Sequence, residues 1–188
     1  MRHHSLSLLI PPLIFLIFSL SVAPLEAASI RAELKGSYFS PSDRAFKDIY
    51  GQGPTYGAEA GLKLGRFLGF WVGVESFTKK GQMTFTREET TLKIMPLAAG
   101  LSGEFPLGPI SPYVKLGLGY FHYEENNVLG TVKKSNVGYL GQVGLIARII
   151  GPLFLDLFGS YSVCQVKPLE LEADLGGFKA GLGLGLQF

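Results

Sequence analysis

The sequence predicts an all-β protein, an eight-stranded antiparallel up-and-down transmembrane β-barrel. Three observations carry that expectation. Apolar residues recur at every second position in eight separate segments, which is the period of a strand with one apolar face. The connections between the segments alternate long and short from first to last, as in barrels with short turns at one membrane face and long loops at the other. Beyond residue 27 no run approaches the roughly 18 consecutive apolar residues of a transmembrane helix, so any crossing of a membrane is made by strands.

The amino terminus reads as a secretory signal. Met1-Arg2-His3-His4 is a short basic start, Leu13 to Val22 is an apolar run, and Leu25-Glu26-Ala27-Ala28 offers small residues for cleavage. Pro11-Pro12 and Pro24 break the alternative, a membrane-anchoring helix. Residues 1–27 are therefore expected to be a signal peptide and residues 28–188 the barrel domain, with a mature chain starting at Ala28 or Ser29.

The first strand is expected from Ile30 to Phe39, with Ile30, Ala32, Leu34, Gly36 and Tyr38 opposite Arg31, Glu33, Lys35, Ser37 and Phe39. Three charges on one parity and none on the other separate a polar from an apolar face. After a polar stretch, Ser40 to Pro54, the second strand runs from Thr55 to Leu64, with Tyr56, Ala58, Ala60, Leu62 and Leu64 against Gly57, Glu59, Gly61 and Lys63. A short turn leads to Leu68 to Thr78, where Phe70, Val72 and Val74 oppose Trp71, Gly73, Glu75 and Phe77. Lys79 to Thr90 is again polar. Thr91 to Phe105 follows, and placing Met95, Leu97, Ala99, Leu101 and Phe105 outward puts Gly100, Ser102 and Glu104 inside. Pro96 cannot donate to a ladder and suggests a bulge there.

The fifth strand, Pro112 to Tyr123, sets Val114, Leu116, Leu118 and Tyr120 against Lys115, Gly117, Gly119 and Phe121. Beyond the polar loop Glu124 to Asn136, Val137 to Arg148 places Tyr139, Val143, Leu145 and Ala147 opposite Gly138, Gln142, Gly144 and Arg148. Gly151-Pro152 is a turn, after which Leu153 to Val163 sets Leu155, Leu157, Tyr161 and Val163 against Asp156, Phe158 and Ser160. The last loop, Gln165 to Asp174, leads to the most regular segment of all. There Phe178, Ala180, Leu182, Leu184, Leu186 and Phe188 share one parity, and Lys179, Gly181, Gly183, Gly185 and Gln187 the other.

Composition narrows the function classes. Seventeen Lys and Arg against 15 Asp and Glu leave a charge of +2, too balanced to argue for a nucleic-acid partner. The 25 glycines among 188 residues are about twice the roughly 7% of ordinary chains. They sit within the alternation, so the strands need small side chains. Cys164 stands alone, so no internal disulfide staples the fold. With no His beside it to stabilise a thiolate, an inert cysteine is expected.

A terminal strand of this pattern with a carboxy-terminal Phe resembles the signal by which the bacterial outer-membrane barrel-assembly machinery recognises its substrates. Together with the hairpin segments Tyr56 to Leu64 and Tyr113 to Tyr120, it makes Ala28 to Phe188 similar to the small eight-stranded outer-membrane β-barrel family of the OmpA/OmpX and opacity-protein type. The resemblance implies an integral place in the bacterial outer membrane, contact with outer-membrane lipid and lipopolysaccharide, and a monomer. It implies no single activity. A soluble barrel with its apolar face inward shares the same alternation, so the facing of each parity stays open in the sequence alone.

If the apolar parity faces lipid, the lumen collects Arg31, Glu33, Lys35, Glu59, Lys63, Glu75, Glu104, Lys115, Arg148, Asp156 and Lys179. Mixed signs let buried charges pair, as burial demands, and a small barrel is normally filled by its own side chains. A salt-bridged plug is the expectation; a narrow solute path beside the inward glycines is the alternative. Lys79, Lys80, Lys93, Lys133 and Lys134 lie where lipopolysaccharide phosphates could bind. An enzyme is not expected. His122 is the sole His past the signal segment and has no Ser within two residues, so a lipid A-modifying His–Ser arrangement is the weakest reading. No spacing supports a metal cluster, a phosphate loop or a bound cofactor. The expected role is structural, or surface interaction through the long loops.

Overall fold

The structure, a computed structural model, describes residues 28–82, 89–127, 130–166 and 173–188. The expected signal peptide lies outside them. Eight strands form the wall: β1 (Ser29–Pro41), β2 (Gly53–Leu64), β3 (Leu68–Gln82), β4 (Glu89–Glu104), β5 (Ile110–Asn127), β6 (Gly130–Ile150), β7 (Leu153–Val163) and β10 (Gly177–Gln187). Between β7 and β10, the two-residue strands β8 (Gln165–Val166) and β9 (Ala173–Asp174) pair with each other. One helix, α1 (Arg44–Tyr50), lies between β1 and β2.

Each wall strand pairs antiparallel with its neighbours, and β1 meets both β2 and β10, so the sheet closes without a free edge along its shared height. Closure is what lets sheet backbone survive in hydrocarbon. The terminal residue takes part: Phe188 N–H donates to Ile30 O at 2.8 Å and Ile30 N–H to Phe188 O at 2.9 Å.

The three turns at the end carrying both termini are tight. Gly65, Gly108 and Gly151 hold them with φ of 65°, 78° and 54°, a left-handed backbone that a Cβ would strain. At the opposite end the structure corrects the sequence reading. Most of the expected loops Lys79 to Thr90 and Glu124 to Asn136 are continuations of β3 into β4 and of β5 into β6, paired as far as Gln82–Glu89 and Asn127–Gly130. Charged and polar side chains there stand on a ladder, which polarity alone does not reveal.

Pro96 introduces no bulge. The β3–β4 register is the same on both sides of it, Val74 with Leu97 and Phe77 with Ile94, and its inward ring faces Phe121 across β5. The ladder simply omits bonds where the missing N–H would fall. A register shift occurs instead between Arg148 and Ile150, at the foot of β6.

Candidate functional site: the lumen and the projecting wall

Strand parity turns Arg31, Glu33, Lys35, Glu59, Lys63, Glu75, Glu104, Lys115, Asp156 and Lys179 inward. Arg148 is a correction. It has the inward parity, but it stands exposed at the rim beside the β6 register shift, where its N–H donates to Pro109 O at 2.9 Å. Water at the rim solvates a guanidinium that the lumen would have had to pair.

The charges form layers. Nearest the termini, Glu104 holds Arg31 at 2.9 Å and Lys63 at 3.2 Å, and Arg31 also donates to Gln187 Oε1 at 2.7 Å and lies over the Phe154 ring. In the middle layer Glu59 binds Lys35 Nζ at 3.0 Å and Lys115 Nζ through its other oxygen. Lys35 donates to Gln142 Oε1 at 3.1 Å, Gln142 Nε2 donates to the Tyr113 hydroxyl, and Tyr113 donates to Asp156 Oδ2 at 2.8 Å. Lys35 also stands 4.3 Å from the Phe158 ring centre and Lys115 4.7 Å from that of Tyr113. Farther up, Lys179 pairs with Glu75.

Above the charges the lumen turns apolar. Phe39, Phe77, Leu92, Ile94, Phe121, Tyr123, Cys164 and Leu175 form one buried cluster, and Phe46 and Tyr50 of α1 close it from above. Asp43 caps the helix by accepting from Phe46 N–H at 3.0 Å, and Gly51 ends it at φ 68°. Sequence reasoning missed this plug. Its signal was present in the inward parity of β3 to β5, where Phe77, Leu92, Ile94 and Phe121 replace charge.

The inward glycines leave no path. A Cβ on Gly117 would meet Trp71 Cζ2 at 2.7 Å, one on Gly144 the Tyr113 hydroxyl at 2.6 Å, and one on Gly185 the ring of Phe154. Each missing side chain seats a large one from another strand, Tyr113 and Phe154 from the adjacent strand and Trp71 from β3 across β4. The interior cavities amount to about 10, 20 and 20 Å³, each near the 10–15 Å³ that a single water requires. A much larger concavity, about 730 Å³, is on the outer wall, where Ala32, Ala58 and Ala60 form a floor between Leu184 and Val72.

That outer wall is apolar around the barrel. Leu34, Leu116, Leu157, Leu182 and Leu184 are all exposed by half or more. Tyr38, Tyr56, Tyr120, Tyr139, Tyr161 and Phe178 lie toward the α1 end and Phe70, Phe105 and Phe188 toward the termini, the two aromatic girdles of a membrane barrel. The apolar parity therefore faces outward, and the soluble alternative, with an apolar interior throughout, does not fit.

Just above the upper girdle the wall of β3 to β6 turns polar. Lys93, Glu124 and Lys133 stand in register on adjacent strands, with Glu124 3.4 Å from Lys133, and Lys80 lies one step higher on β3. His122 Nδ1 lies 2.9 Å from Ser135 Oγ, its register partner across β5 and β6. Sequence spacing could not find that pair, because a cross-strand neighbour is set by hairpin register. Among the described residues no acid holds the other ring nitrogen, so the third member of a nucleophilic triad is absent. Burial pushes the Cys164 thiol up to about 11, with the Asp174 carboxylate adding to it, which keeps it an unreactive thiol. Among the described residues no group of three His, Cys, Asp or Glu could hold a metal ion.

No family model matches the sequence, and no curated protein is similar to it. Solved structures are similar in shape. Neisserial surface protein A, NspA, matches with a TM-score of 0.62 at 15% identity over 86% of this chain and 97% of its own. OprG of Pseudomonas aeruginosa matches at 0.67 and 13%, over 86% and 96%. The chain has the fold of a small outer-membrane β-barrel. Ail of Yersinia pestis, solved with the heparin analogue sucrose octasulfate, shares that fold at a TM-score of 0.52 and 15% identity, over 86% of this chain and 97% of Ail. At such identities the shared property is the fold alone.

Proposed function

We propose that the protein is a closed outer-membrane barrel that acts at the cell surface through its projecting wall. One observation carries the reading: β3 to β6 rise beyond the barrel as a four-stranded sheet whose two sides are unequally covered. Tyr50 and Ile49 of α1 press on Gly81 of β3. On β6, the β7 pairing begins only at Tyr139 and β8 comes beside the strand at Asn136, whose Nδ2 donates to Gln165 O; among the described residues no ladder partner for Gly130 to Ser135 stands on that side. A strand edge without a ladder partner can take up an extended partner. Level with it, Lys80, Lys93 and Lys133 stand on β3, β4 and β6, cations suited to the phosphates of lipopolysaccharide. The plugged lumen speaks against transport as the main role.

Two measurements test this reading. In planar bilayers the purified barrel should give no reproducible porin-sized conductance steps; such steps would move the function to the lumen. In salt-controlled binding to lipopolysaccharide vesicles, Lys80→Gln/Lys93→Gln/Lys133→Gln should weaken retention and flatten its salt dependence. Unchanged retention would remove lipopolysaccharide from the partners of this wall. The barrel-assembly machinery is the further partner proposed, acting on the strand Phe178 to Phe188.

A further inference from the structure

We infer that the concavity on the outer wall seats one acyl chain of lipopolysaccharide, whose phosphorylated head stands above it at Lys80 and Lys93. The inference rests on the reading above, in which the projecting end is the cell-surface end and its lysines take phosphates, and adds the place where the lipid chain is held.

The concavity is made by three side chains that stop at Cβ. Ala32 on β1 pairs in register with Ala60 on β2, and Ala58 lies two residues away from Ala60 on the same outward face. The row through Ala58 continues as Val74 and Leu97 on one side and as Leu34 and Leu184 on the other. Short side chains between taller ones hollow a wall that is otherwise convex. The volume of about 730 Å³ falls within the roughly 300–1,000 Å³ of ligand sites. The side-chain lining is hydrocarbon, with Glu33 and Glu59 of the same strands turned to the lumen.

Its height restricts the occupant. Tyr56 is the next outward residue above Ala58, and Phe70 the next below Val72, so the hollow lies between the two aromatic girdles. Whatever fills it lies in hydrocarbon and is apolar along its length. Shape separates the apolar candidates. A second barrel docked on a two-fold axis through the hollow would set hollow against hollow and leave a void. A single flexible chain can follow the alanine floor and leave the leucine rim to the surrounding lipid.

Charge then selects the lipid. The strands of one rim carry cations farther up on the same outward face: β3 runs Val74, Ser76, Thr78, Lys80, and β4, read upward, runs Leu97, Met95, Lys93. At about 3.3 Å per residue, Lys93 lies roughly 13 Å along its strand from Leu97 and Lys80 roughly 20 Å from Val74. Lys93 faces Thr78 and Lys80 faces Thr91, so the two lysines are diagonal neighbours, about 7–8 Å apart at the backbone. Glu124 is engaged by Lys133 at 3.4 Å, whereas among the described residues Lys80 and Lys93 have no ion-pair partner. Two uncompensated cations on a diagonal suit one phosphate between them. In the cell-surface leaflet of an outer membrane the phosphorylated lipid is lipopolysaccharide.

Lipid A with a photoactivatable diazirine in one acyl chain, placed in vesicles with the folded barrel, tests the seat by mass spectrometry of the labelled peptides. Label should concentrate on the stretches of β1 to β3 around Ala32, Ala58 and Ala60. Ala58→Leu/Ala60→Leu fills the hollow with side chains that lipid tolerates and should cut that share several-fold. Ala180→Leu, at an exposed alanine on β10 outside the hollow, should leave it unchanged. Label spread evenly around the wall would overturn the inference, as would equal label from phosphatidylethanolamine carrying the same diazirine. Label excluded from the hollow in a barrel that runs as a dimer would overturn it in favour of a second copy. If the leucine variant does not fold, the wild-type distribution and the phospholipid comparison still decide. Lys80→Gln/Lys93→Gln separates the two readings. Label kept in the hollow at full strength would support the seat and remove the phosphate contact, whereas even label with lysine-dependent retention would remove the seat and leave the phosphate contact.

Discussion

Lys35→Met should destabilise the folded barrel by about 3–5 kcal/mol, the cost of removing one partner from a buried ion pair. Lys35 is 7% exposed, and its ammonium serves Glu59, Gln142 and the face of Phe158 together. Methionine fills much of the same volume and takes the charge away. The layer then holds three carboxyl groups against Lys115 alone, and Glu59 loses one of its two cations. Denaturant unfolding equilibria in lipid vesicles measure the change. Lys35→Met/Glu59→Gln should recover most of the loss, because the charge count returns to that of the wild type and the amide oxygen can still accept from Lys115. If the single variant is as stable as wild type, the charges of this layer are solvated and the lumen is wetter than its small cavities indicate.

Leu184→Arg should cost about 2–4 kcal/mol, the penalty of arginine near the midplane on the lipid side of a barrel. Leu184 is 52% exposed, lies midway along β10 and stands in register with Leu34 and Leu155 on the flanking strands. A guanidinium there must thin the bilayer or leave water. Leu184→Phe should be nearly neutral, since lipid accepts either side chain. The same vesicle equilibria decide between the outcomes, and an arginine variant as stable as wild type would sink the lipid-facing assignment. The adjacent Gly183 gives a contrast in mechanism. Its side-chain position is already filled by Glu33, so Gly183→Ser requires the Glu33 carboxyl to shift, and its cost in the same equilibria reports how freely that side chain can move.

Alternation divided each wall strand into two faces without saying which meets lipid, and in the fourth strand the structure turns Leu97, Ala99 and Leu101 outward while Pro96, Ala98 and Glu104 are buried. A strand has only two faces, so a charge on one parity assigns every residue of the segment. Loops carry no such period. The upper ends of β3 to β6 look like loops in the sequence because lysine, glutamate and asparagine occupy both parities there, and above the membrane both faces of a projecting sheet can be wet.

Sequence by itself thus determined the eight strands, their succession along the chain and the grouping of the charges onto one parity of each strand. All of these follow from local period and chain connectivity. The tertiary structure alone decided which charge meets which: Glu59 with two lysines, Glu33 and Asp156 with none, Arg148 out at the rim, and His122 beside Ser135. Partners across a barrel depend on register and shear, which are set by closure of the whole sheet, and on where a missing side chain lets a neighbour lean. Neither quantity is written in any one segment.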